Sequence, residues 1–335
     1  MKKEYIIPIF VPHLGCPHQC TFCNQKEISG QTKQVTANDV KETIEYYLKN
    51  FKDDSKYVEV AFYGGSFTAI DEKKQNELLE AANEFIKQGR VNSIRLSTRP
   101  DYIDKSILKR LKKYNVKTIE LGVQSMSDKV LEISKRGHTK NDVIRAARLI
   151  HLYGIDLGIQ IMVGLPGSNL DTEVYSIKKV LKLNPKCLRI YPVYVLKDSK
   201  LYEMYKNKEY TPLSVDDAIE RVYYILKECK KTDVKIIRIG LQTTDEITSS
   251  NSQIVGPVCD NFAEYVLSKI VLDDIEKYIS KNNIKYEENI KKKMNIYTNN
   301  NYASIIVGPE KVNKKYLKEK YGIDIKIKGE NKWKK

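Results

Sequence analysis

The chain has 335 residues and a formal charge of +15 at pH 7. This length can bury a sizeable core, as one large α/β domain or as one domain with an appendage. No apolar run is long enough to span a membrane, and no charged-then-apolar leader is seen. Three of the six cysteines are clustered, which is typical of a reducing compartment, so we expect a soluble, cytoplasmic protein.

The positive charge is concentrated near the C-terminal end. Residues 281–335 contain 15 Lys and 6 acidic residues, a balance of +9, which leaves +6 for the first 280 residues. Lysine supplies 48 of the 58 basic residues, a bias that A+T-rich codons produce whatever the function. The distribution is therefore more informative than the total, and it favours a polyanion-binding surface at this end. A solvated tail remains the alternative for residues 332–335.

Short strands alternate with amphipathic helices over the first 196 residues. The predicted strands are 6–11, 57–63, 93–98, 117–124, 156–164 and 188–195. The predicted helices are 38–51, capped by Asn38, and 72–88, 102–114, 128–134, 140–153 and 171–183. Such alternation predicts parallel βαβ units, arranged as an open sheet or a barrel.

After residue 196 the pattern changes. Segments 201–205, 214–229 and 261–278 are predicted to be helical, and 234–241 (VKIIRIGL) is predicted to be a strand. Segment 243–253 is rich in Ser and Thr and is typical of a loop.

Three cysteines follow the first predicted strand. Cys16, Cys20 and Cys23 have C-x3-C-x2-C spacing, so their thiolates can converge on one metal centre. A structural zinc site needs four ligands, and the other cysteines are far away in the chain. An iron–sulfur cluster held by three thiolates leaves one iron open to a small molecule. The alternative is a zinc knuckle completed by His13 or His18.

Special residues recur where other predicted strands end. These are Gly64-Gly65-Ser66, Thr98-Arg99, Gln124-Ser125 and Gly164-Leu165-Pro166-Gly167. Because the carboxyl ends of parallel strands meet at one edge, we expect these segments to form a site with the cysteine loop.

The motifs resemble those of the radical S-adenosylmethionine (SAM) superfamily. CPHQCTFC is similar to its cluster loop, with Phe22 as the aromatic residue before the third cysteine. HLGCPHQCTFCNQ, FYGGSFT, LSTRPDYID, IELGVQSMSDKVLEISKRGHT and IMVGLPG resemble the catalytic subunit of Elongator and its shorter bacterial relatives, over about residues 1–260. The resemblance implies an α/β partial (βα)6 TIM-type barrel. It also implies a 4Fe–4S cluster that, when reduced by an electron donor, cleaves SAM to a 5′-deoxyadenosyl radical.

The same resemblance implies roles for the residues at the strand ends. Gly64 and Gly65 are expected to let the backbone approach a ligand closely. Gly65 and Ser66 are expected near the methionine amino group of SAM, although many relatives have an acid where Ser66 stands. Arg136 has the planar donor fork suited to the SAM carboxylate. Gln124 is expected to contact a ribose hydroxyl or the methionine moiety of SAM, and Gln160 is expected to contact the ribose.

Further residues are weaker candidates. Gly164 and Pro166 are expected to shape an adenine pocket, while Arg99 positions substrate or forms a strand exit. His138 makes a loop contact or transfers a proton. Cys259 is expected to be a buried apolar residue, with catalysis as the alternative.

The basic C-terminal end resembles part of a KH-type nucleic-acid module. Residues 304–328 are predicted to fold as strand, turn, helix and strand, with Gly308 and Lys311 in the positions of the two loop glycines. Three further lysines line the helix: Lys314, Lys315 and Lys318. We therefore expect a core at 1–200, an extension packed on it at 201–280, and an RNA-contacting element at 281–335.

These patterns favour an enzyme that modifies RNA, most simply a wobble uridine of tRNA. About 75 residues follow Asp260, too few for the acetyltransferase domain of Elongator-type enzymes, so a separate acetyltransferase chain is a possible partner. Two alternatives stay open: radical chemistry on a small molecule or porphyrin precursor, and a non-catalytic RNA-binding or cluster-sensing protein.

Overall fold

Seven parallel strands form the main sheet of the protein. The computed structural model describes residues 3–11, 20–23, 34–51, 56–241, 254–283, 292–298 and 300–329. The strands pair in sequence order, with every neighbour parallel. They are β1 (Lys3–Val11), β2 (Lys56–Gly64), β3 (Ser93–Thr98), β4 (Val116–Gln124), β5 (Asp156–Val163), β6 (Cys187–Pro192) and β7 (Lys235–Ile239).

Helices connect these strands and cover the outside of the sheet. They are α1 (Ala37–Asn50), α2 (Glu72–Lys87), α3 (Lys105–Lys113), α4 (Asp128–Ile133), α5 (Lys140–Leu152), α6 (Leu170–Leu181), α7 (Lys200–Lys206), α8 (Val215–Cys229) and α9 (Phe262–Lys281). Apolar side chains of the strands and of most of these helices form one continuous core. None of the described helices is long and apolar enough to cross a lipid bilayer.

The predicted fold class and the six predicted strands are confirmed. The segment predicted as an isolated strand, residues 234–241, joins the sheet as β7, so the sheet has one more strand than expected. The predicted cap of the first helix was wrong. Thr36, not Asn38, caps α1, because its hydroxyl accepts from the Asp39 amide while the Asp39 carboxylate accepts from the Thr36 amide.

The sheet curls so far that its two edge strands approach each other. Lys235 on β7 donates to Glu4 on β1, with 2.5 Å between Nζ and Oε2, although five strands separate β1 from β7 in the sheet. The curl encloses a lumen, into which every second residue of each strand points. The carboxyl ends of the strands form one rim of this partial barrel.

Residues after α9 form a smaller α/β unit. Strands β8 (Lys292–Thr298) and β9 (Ile323–Gly329) pair in parallel, and α10 (Asn300–Val307) and α11 (Val312–Tyr321) connect them. A second core, formed by Ile275, Ile279, Ile306, Leu317, Ile323 and Ile325, joins this unit to α9. The first half of α9 packs on the main core, so this helix links the two.

The prediction of a strand at residues 304–307 was wrong, because they form the end of α10. The three consecutive apolar residues of this segment, 305–307, fit a strand or a buried helix equally well. Helical geometry buries Ile306 in the second core, and Gly308 ends the helix with φ 80°. The resemblance to a KH-type strand, turn and helix is therefore not borne out in this segment.

Candidate cluster and cofactor site

The described part of the cysteine loop, residues 20–23, is tied to the barrel through the backbone of Thr21. The Thr21 amide donates to the Ser134 carbonyl at 3.1 Å, and the Leu201 amide donates to the Thr21 carbonyl at 2.7 Å. Phe22 packs against an apolar cluster that includes Val130. These contacts hold Cys20 and Cys23 above the ends of the strands. Cys16, His13 and His18 lie outside the described residues.

Arg136 connects this loop to the end of β4. Its Nη1 lies 3.0 Å from the Cys20 sulfur, and its Nη2 donates to the Gly122 carbonyl at 2.6 Å. The guanidinium also lies 5.9 Å from the centre of the Phe22 ring. Arg136 is buried, and its Nε has no hydrogen-bond partner among the described residues. The predicted SAM-carboxylate ligand is thus directly beside a predicted cluster ligand.

Gln124 ends β4 in a backbone conformation that is unusual for a residue with a side chain. Its φ is 65°, and the pairing of β4 with β5 shifts register between Gly122 and Gln124. Such conformations are costly and are concentrated at functional sites. The Gln124 Oε1 atom is buried without a hydrogen-bond partner in the described part of the chain. A Cβ on Gly122 would lie 3.2 Å from Gln124 Nε2 and 3.4 Å from Arg136 Nη2, so glycine makes room for both.

Arg99 holds the backbone of Arg136, and burial together with the two arginines affects the pKa of the nearby His138. Arg99 Nη2 donates to the Arg136 carbonyl at 2.5 Å, and Arg99 also pairs with Asp101. Burial, with the nearby charges of Arg136 and Arg99, lowers the pKa of His138 to about 3. His138 is therefore neutral at pH 7. Of the two roles expected for Arg99, the structure shows it at the strand exit.

The predicted Gly64-Gly65-Ser66 turn is tightly built into the protein. Gly64 has φ 107°, and a Cβ there would lie 2.4 Å from the Val11 carbonyl oxygen. The Gly65 amide donates to the same oxygen at 3.2 Å. The Ser66 side chain is buried, and its hydroxyl lies 2.8 Å from the Thr98 hydroxyl. The same hydroxyl accepts a hydrogen bond from the Arg99 amide at 3.2 Å. Ser66 thus joins β2 to β3.

The turn after β5 is held by residues that the sequence did not single out. Glu173 accepts from the Gly164 amide at 2.7 Å, from the Ser168 hydroxyl at 2.8 Å and from Arg221 at 2.9 Å. Tyr210 donates to the Gly164 carbonyl at 2.7 Å. Burial raises the pKa of Glu173 against the opposing effect of these donors. These hydrogen bonds fix the shape of the predicted adenine-pocket segment.

Gln160 lies deeper in the lumen than the other predicted ligands. Its Nε2 donates to Glu120 at 3.2 Å. Glu120 also accepts from Arg189 at 2.6 Å and from Arg95 at 3.0 Å, and Arg95 pairs in turn with Glu59. We call these four residues, Glu59, Arg95, Glu120 and Arg189, the charged layer. They lie on β2, β3, β4 and β6. Gln160 contacts the charged layer and is separate from the group around Arg136.

Tyr63 completes the layer on the side of the rim. Its hydroxyl accepts from Arg189 at 2.6 Å and donates to Glu120 at 3.2 Å. Burial, reinforced by the Glu120 carboxylate, raises the pKa of Tyr63 far above its ordinary value. Burial opposes ionisation of Glu120, but Arg189 and Arg95 overcome it and lower the pKa of that carboxyl. The lumen therefore holds paired charges at neutral pH.

A sequence signal for this layer existed. Each of the four strands carries one charged residue between apolar ones, in V-E-V, I-R-L, I-E-L and L-R-I. Alternation in a strand buried on both faces indicates an inward polar position. The charged layer was not predicted from the sequence, because its residues lie within the strands and the predicted site residues lie at the strand ends.

The predicted RNA-contacting residues lie around the start of α11. Gly308 is buried, and a Cβ there would lie 2.7 Å from Val312 and 2.8 Å from the Ser268 hydroxyl. Lys314 pairs with Asp324 at 3.1 Å. The other three lysines are exposed: Lys311, Lys315 and Lys318. Gly308 is thus used for packing against α9.

The residues present fit a cluster and a bound cofactor. Cys20 contacts Arg136 at the rim, and a buried cation beside the Cys20 sulfur suits a thiolate ligand. Orphaned buried atoms on Gln124 and Arg136 lie around the same spot. Buried polar atoms rarely lack partners, so a ligand with hydrogen-bonding groups is the natural complement. Cys16 would supply the third thiolate.

A curled parallel sheet with a cysteine loop at its carboxyl rim defines an α/β enzyme of the partial-barrel type. The model of the Radical SAM superfamily matches residues 10–179, and that of the Radical SAM C-terminal domain matches residues 185–271. The chain belongs to the radical SAM superfamily. Enzymes of this family use a 4Fe–4S cluster and SAM, and the resemblance stated from the motifs is confirmed.

Two proteins of one archaeon are similar to this chain in sequence. An uncharacterized protein of Methanocaldococcus jannaschii is 32% identical over 231 residues, covering 66% of this chain and 70% of that protein. The tRNA uridine(34) acetyltransferase of the same organism is 27% identical over 258 residues, covering 65% of this chain and 48% of the enzyme. The chain thus spans about half the length of that acetyltransferase.

A solved structure supports the fold. The archaeal Methanocaldococcus infernus Elp3, with an N-terminal deletion, superposes with a TM-score of 0.63 at 23% identity. The superposition covers 85% of this chain and 64% of that one. The fold is therefore shared well beyond the cysteine loop.

Proposed function

We propose that this radical SAM enzyme reductively cleaves SAM and modifies RNA, most simply a wobble uridine of tRNA. The observation that carries the first part is the contact between Arg136 and Cys20, beside the unsatisfied Gln124 Oε1. It brings one cluster ligand, one cation and one free acceptor to the same point of the rim. This is the arrangement that a cluster and a small polar cofactor require.

Different residues of the cysteine loop and the rim have different roles in this function. Cys16, Cys20 and Cys23 hold the cluster, and Phe22 anchors the loop against the rim. When bound, the cluster and SAM supply the radical chemistry, with electrons from a separate donor. Arg136 neutralises negative charge beside the Cys20 thiolate.

Gln124 would bind SAM at the rim. Its free Oε1 accepts a hydrogen bond from a SAM hydroxyl or amine, which removes the cost of leaving this buried atom unpaired. We expect Gly65 and the 164–167 turn to border the same space, because they follow β2 and β5 at the same rim. Gln160 and Ser66 act through the protein scaffold, since their side chains are engaged with Glu120 and with Thr98.

The RNA part of the proposal rests on charge and on relatives. The last 55 residues carry +9, and the described lysines of this region are largely exposed. Phosphate binding needs such a surface. A relative that matches 65% of this chain is named a tRNA uridine(34) acetyltransferase, which indicates a tRNA substrate for the shared part.

Two measurements test the proposal. The protein, reconstituted anaerobically, should bind about four irons per chain and release 5′-deoxyadenosine when reduced with SAM. Cys20→Ala should abolish both, whereas Cys229→Ala, a buried cysteine of α8, should leave them intact. Mass spectrometry of tRNA nucleosides from a host strain lacking the gene should show the loss of one modified uridine, restored by the wild-type gene and not by Cys20→Ala. An unchanged nucleoside profile would reject the RNA substrate.

A further inference from the structure

The small sheet formed by β8 and β9 has one apolar face and one open face. Met294 and Ile296 on β8, with Ile325 and Ile327 on β9, point to the second core. Parallel register pairs Asn295 with Lys326. The alternate residues of both strands therefore share the opposite face, where no described helix covers them: Lys293, Asn295, Tyr297, Asp324, Lys326 and Lys328.

This open face is basic and carries one exposed aromatic ring. Tyr297 is 63% exposed, and the Lys328 ammonium lies 5.9 Å from the centre of its ring. Lys293 and Lys326 are exposed on the same face. Asp324 is the acidic residue of the two strands, and Lys314 of α11 neutralises it at 3.1 Å. The face thus carries a net positive charge around an accessible ring.

The open face differs from a merely lysine-rich surface, because an aromatic ring lies among its lysines. Tyr297 projects from the face opposite the second core, so its ring is accessible to a ligand. Backbone phosphates require cations spaced along a surface, and unpaired bases stack on aromatic rings without regard to sequence. An open sheet face with a ring between lysines offers both phosphate contacts and base stacking to single-stranded RNA.

We propose that the open β8–β9 face is a docking platform for a single-stranded segment of RNA, with a base stacked on Tyr297 and phosphates bound by Lys293, Lys326 and Lys328. This inference rests on the proposed RNA substrate and names the surface that holds it. It replaces the α11 lysines as the main contact, since Lys314 is used within the protein and Gly308 is buried.

Binding of the full-length chain to a fluorescent twelve-nucleotide oligouridine and to unfractionated tRNA tests the platform. Tyr297→Ala should weaken both affinities about tenfold, the effect of losing one stacked base, while Tyr297→Phe keeps wild-type affinity. Tyr302→Ala is the matched control, because Tyr302 is 53% exposed on α10 in the same unit. An unchanged affinity of Tyr297→Ala would overturn the inference.

Charge reversal distinguishes the two surfaces of the unit. Lys326→Glu with Lys328→Glu should weaken binding more than tenfold and reduce the salt dependence by about one phosphate contact per lysine. Lys315→Glu with Lys318→Glu changes the charge equally on exposed α11 positions and should have an effect below threefold. A larger loss from the helix pair than from the sheet pair would overturn the inference. Circular dichroism confirms that each variant is folded.

The failure of this inference is separable from that of the proposed function. SAM cleavage without RNA should be the same in every platform variant, because the platform lies outside the cofactor site. If the wild type binds RNA and the sheet variants bind equally well, the platform alone is rejected. If the sheet variants lose binding while host nucleosides are unchanged without the gene, the platform stands and the proposed substrate does not.

Discussion

The Nη1 atom of Arg136 lies 3.0 Å from the sulfur of Cys20, a residue 116 positions earlier in the chain. The guanidinium is buried, so its charge is poorly screened where it meets the sulfur. Hydrogen bonds and positive charge at a cluster sulfur favour the more negative, reduced state. Arg136 is therefore placed to influence how easily the cluster accepts an electron.

Replacing Arg136 by Ala should make the bound cluster harder to reduce. A hydrogen bond to a charged group contributes about 2 kcal/mol, so we expect reductive SAM cleavage to slow by at least about tenfold. The measurements are iron content, the midpoint potential of the cluster and 5′-deoxyadenosine release. Arg148→Ala removes an exposed arginine of α5 and should change none of them. A wild-type potential in Arg136→Ala would contradict the assignment.

Gln124→Ala should weaken SAM binding about fivefold to tenfold, because one hydrogen bond to the cofactor is lost. Gln124→Asn separates the two roles of this residue. Asparagine accepts positive φ readily but is one methylene shorter, so it restores the backbone conformation without the reach. SAM affinity of the reconstituted protein should stay low in Gln124→Asn. Recovery of wild-type affinity would show that Gln124 matters only for the backbone.

Glu120→Gln should destabilise the protein by about 3 kcal/mol, because it leaves Arg189 and Arg95 with less compensating charge in the lumen. Equilibrium denaturation in urea measures this change. Glu132→Gln removes an exposed carboxylate of α4 and is expected to stay within about 0.5 kcal/mol of the wild type. Equal stability of the two variants would mean that the charged layer contributes little to folding.

Gly64→Ala should cost more than Gly89→Ala. Both glycines have positive φ, so both substitutions carry backbone strain of about 1–3 kcal/mol. Only at Gly64 would the new Cβ also meet backbone, 2.4 Å from the Val11 carbonyl oxygen, whereas nothing lies within 4 Å at Gly89. The difference in unfolding free energy isolates the close approach of β1 and β2. Equal losses would contradict it.

The attachment of the C-terminal unit should weaken in acid. Burial opposes ionisation of Glu276, but hydrogen bonds from Lys320, Tyr321 and Tyr316 lower the pKa of its carboxyl. A lowered folded-state pKa contributes stability above the unfolded-state value, and this stability is lost as pH falls through the folded-state value. The protection of α11 amides against hydrogen exchange, relative to their intrinsic rate at each pH, should therefore fall below about pH 4.

Glu276→Gln provides the control for this pH effect. It should show faster exchange in α11 already at pH 7, with less further change in acid. If α11 exchanges at the wild-type rate in Glu276→Gln, Glu276 does not anchor the unit to α9.

Local sequence patterns predicted the barrel elements well. The strand–helix alternation and the cysteine spacing are short-range properties, and β1 to β6 lie within a few residues of the predicted bounds. The exceptions are instructive. The apolar residues 305–307 fit a strand or a helix, and only packing of Ile306 in the second core with α9 selects the helix. Thr36 caps α1 because Asp39 completes the reciprocal pair.

The sequence by itself determined which residues end the strands, because strand periodicity and glycine turns are written locally. Only the tertiary structure decided what those residues contact. Arg136 reaches Cys20, Ser66 joins Thr98, and Gln160 turns to Glu120, since the curl of the sheet brings distant strands into one lumen. Burial inside that lumen then requires every charge to find a partner, which pairs four charged side chains that no local pattern could have matched.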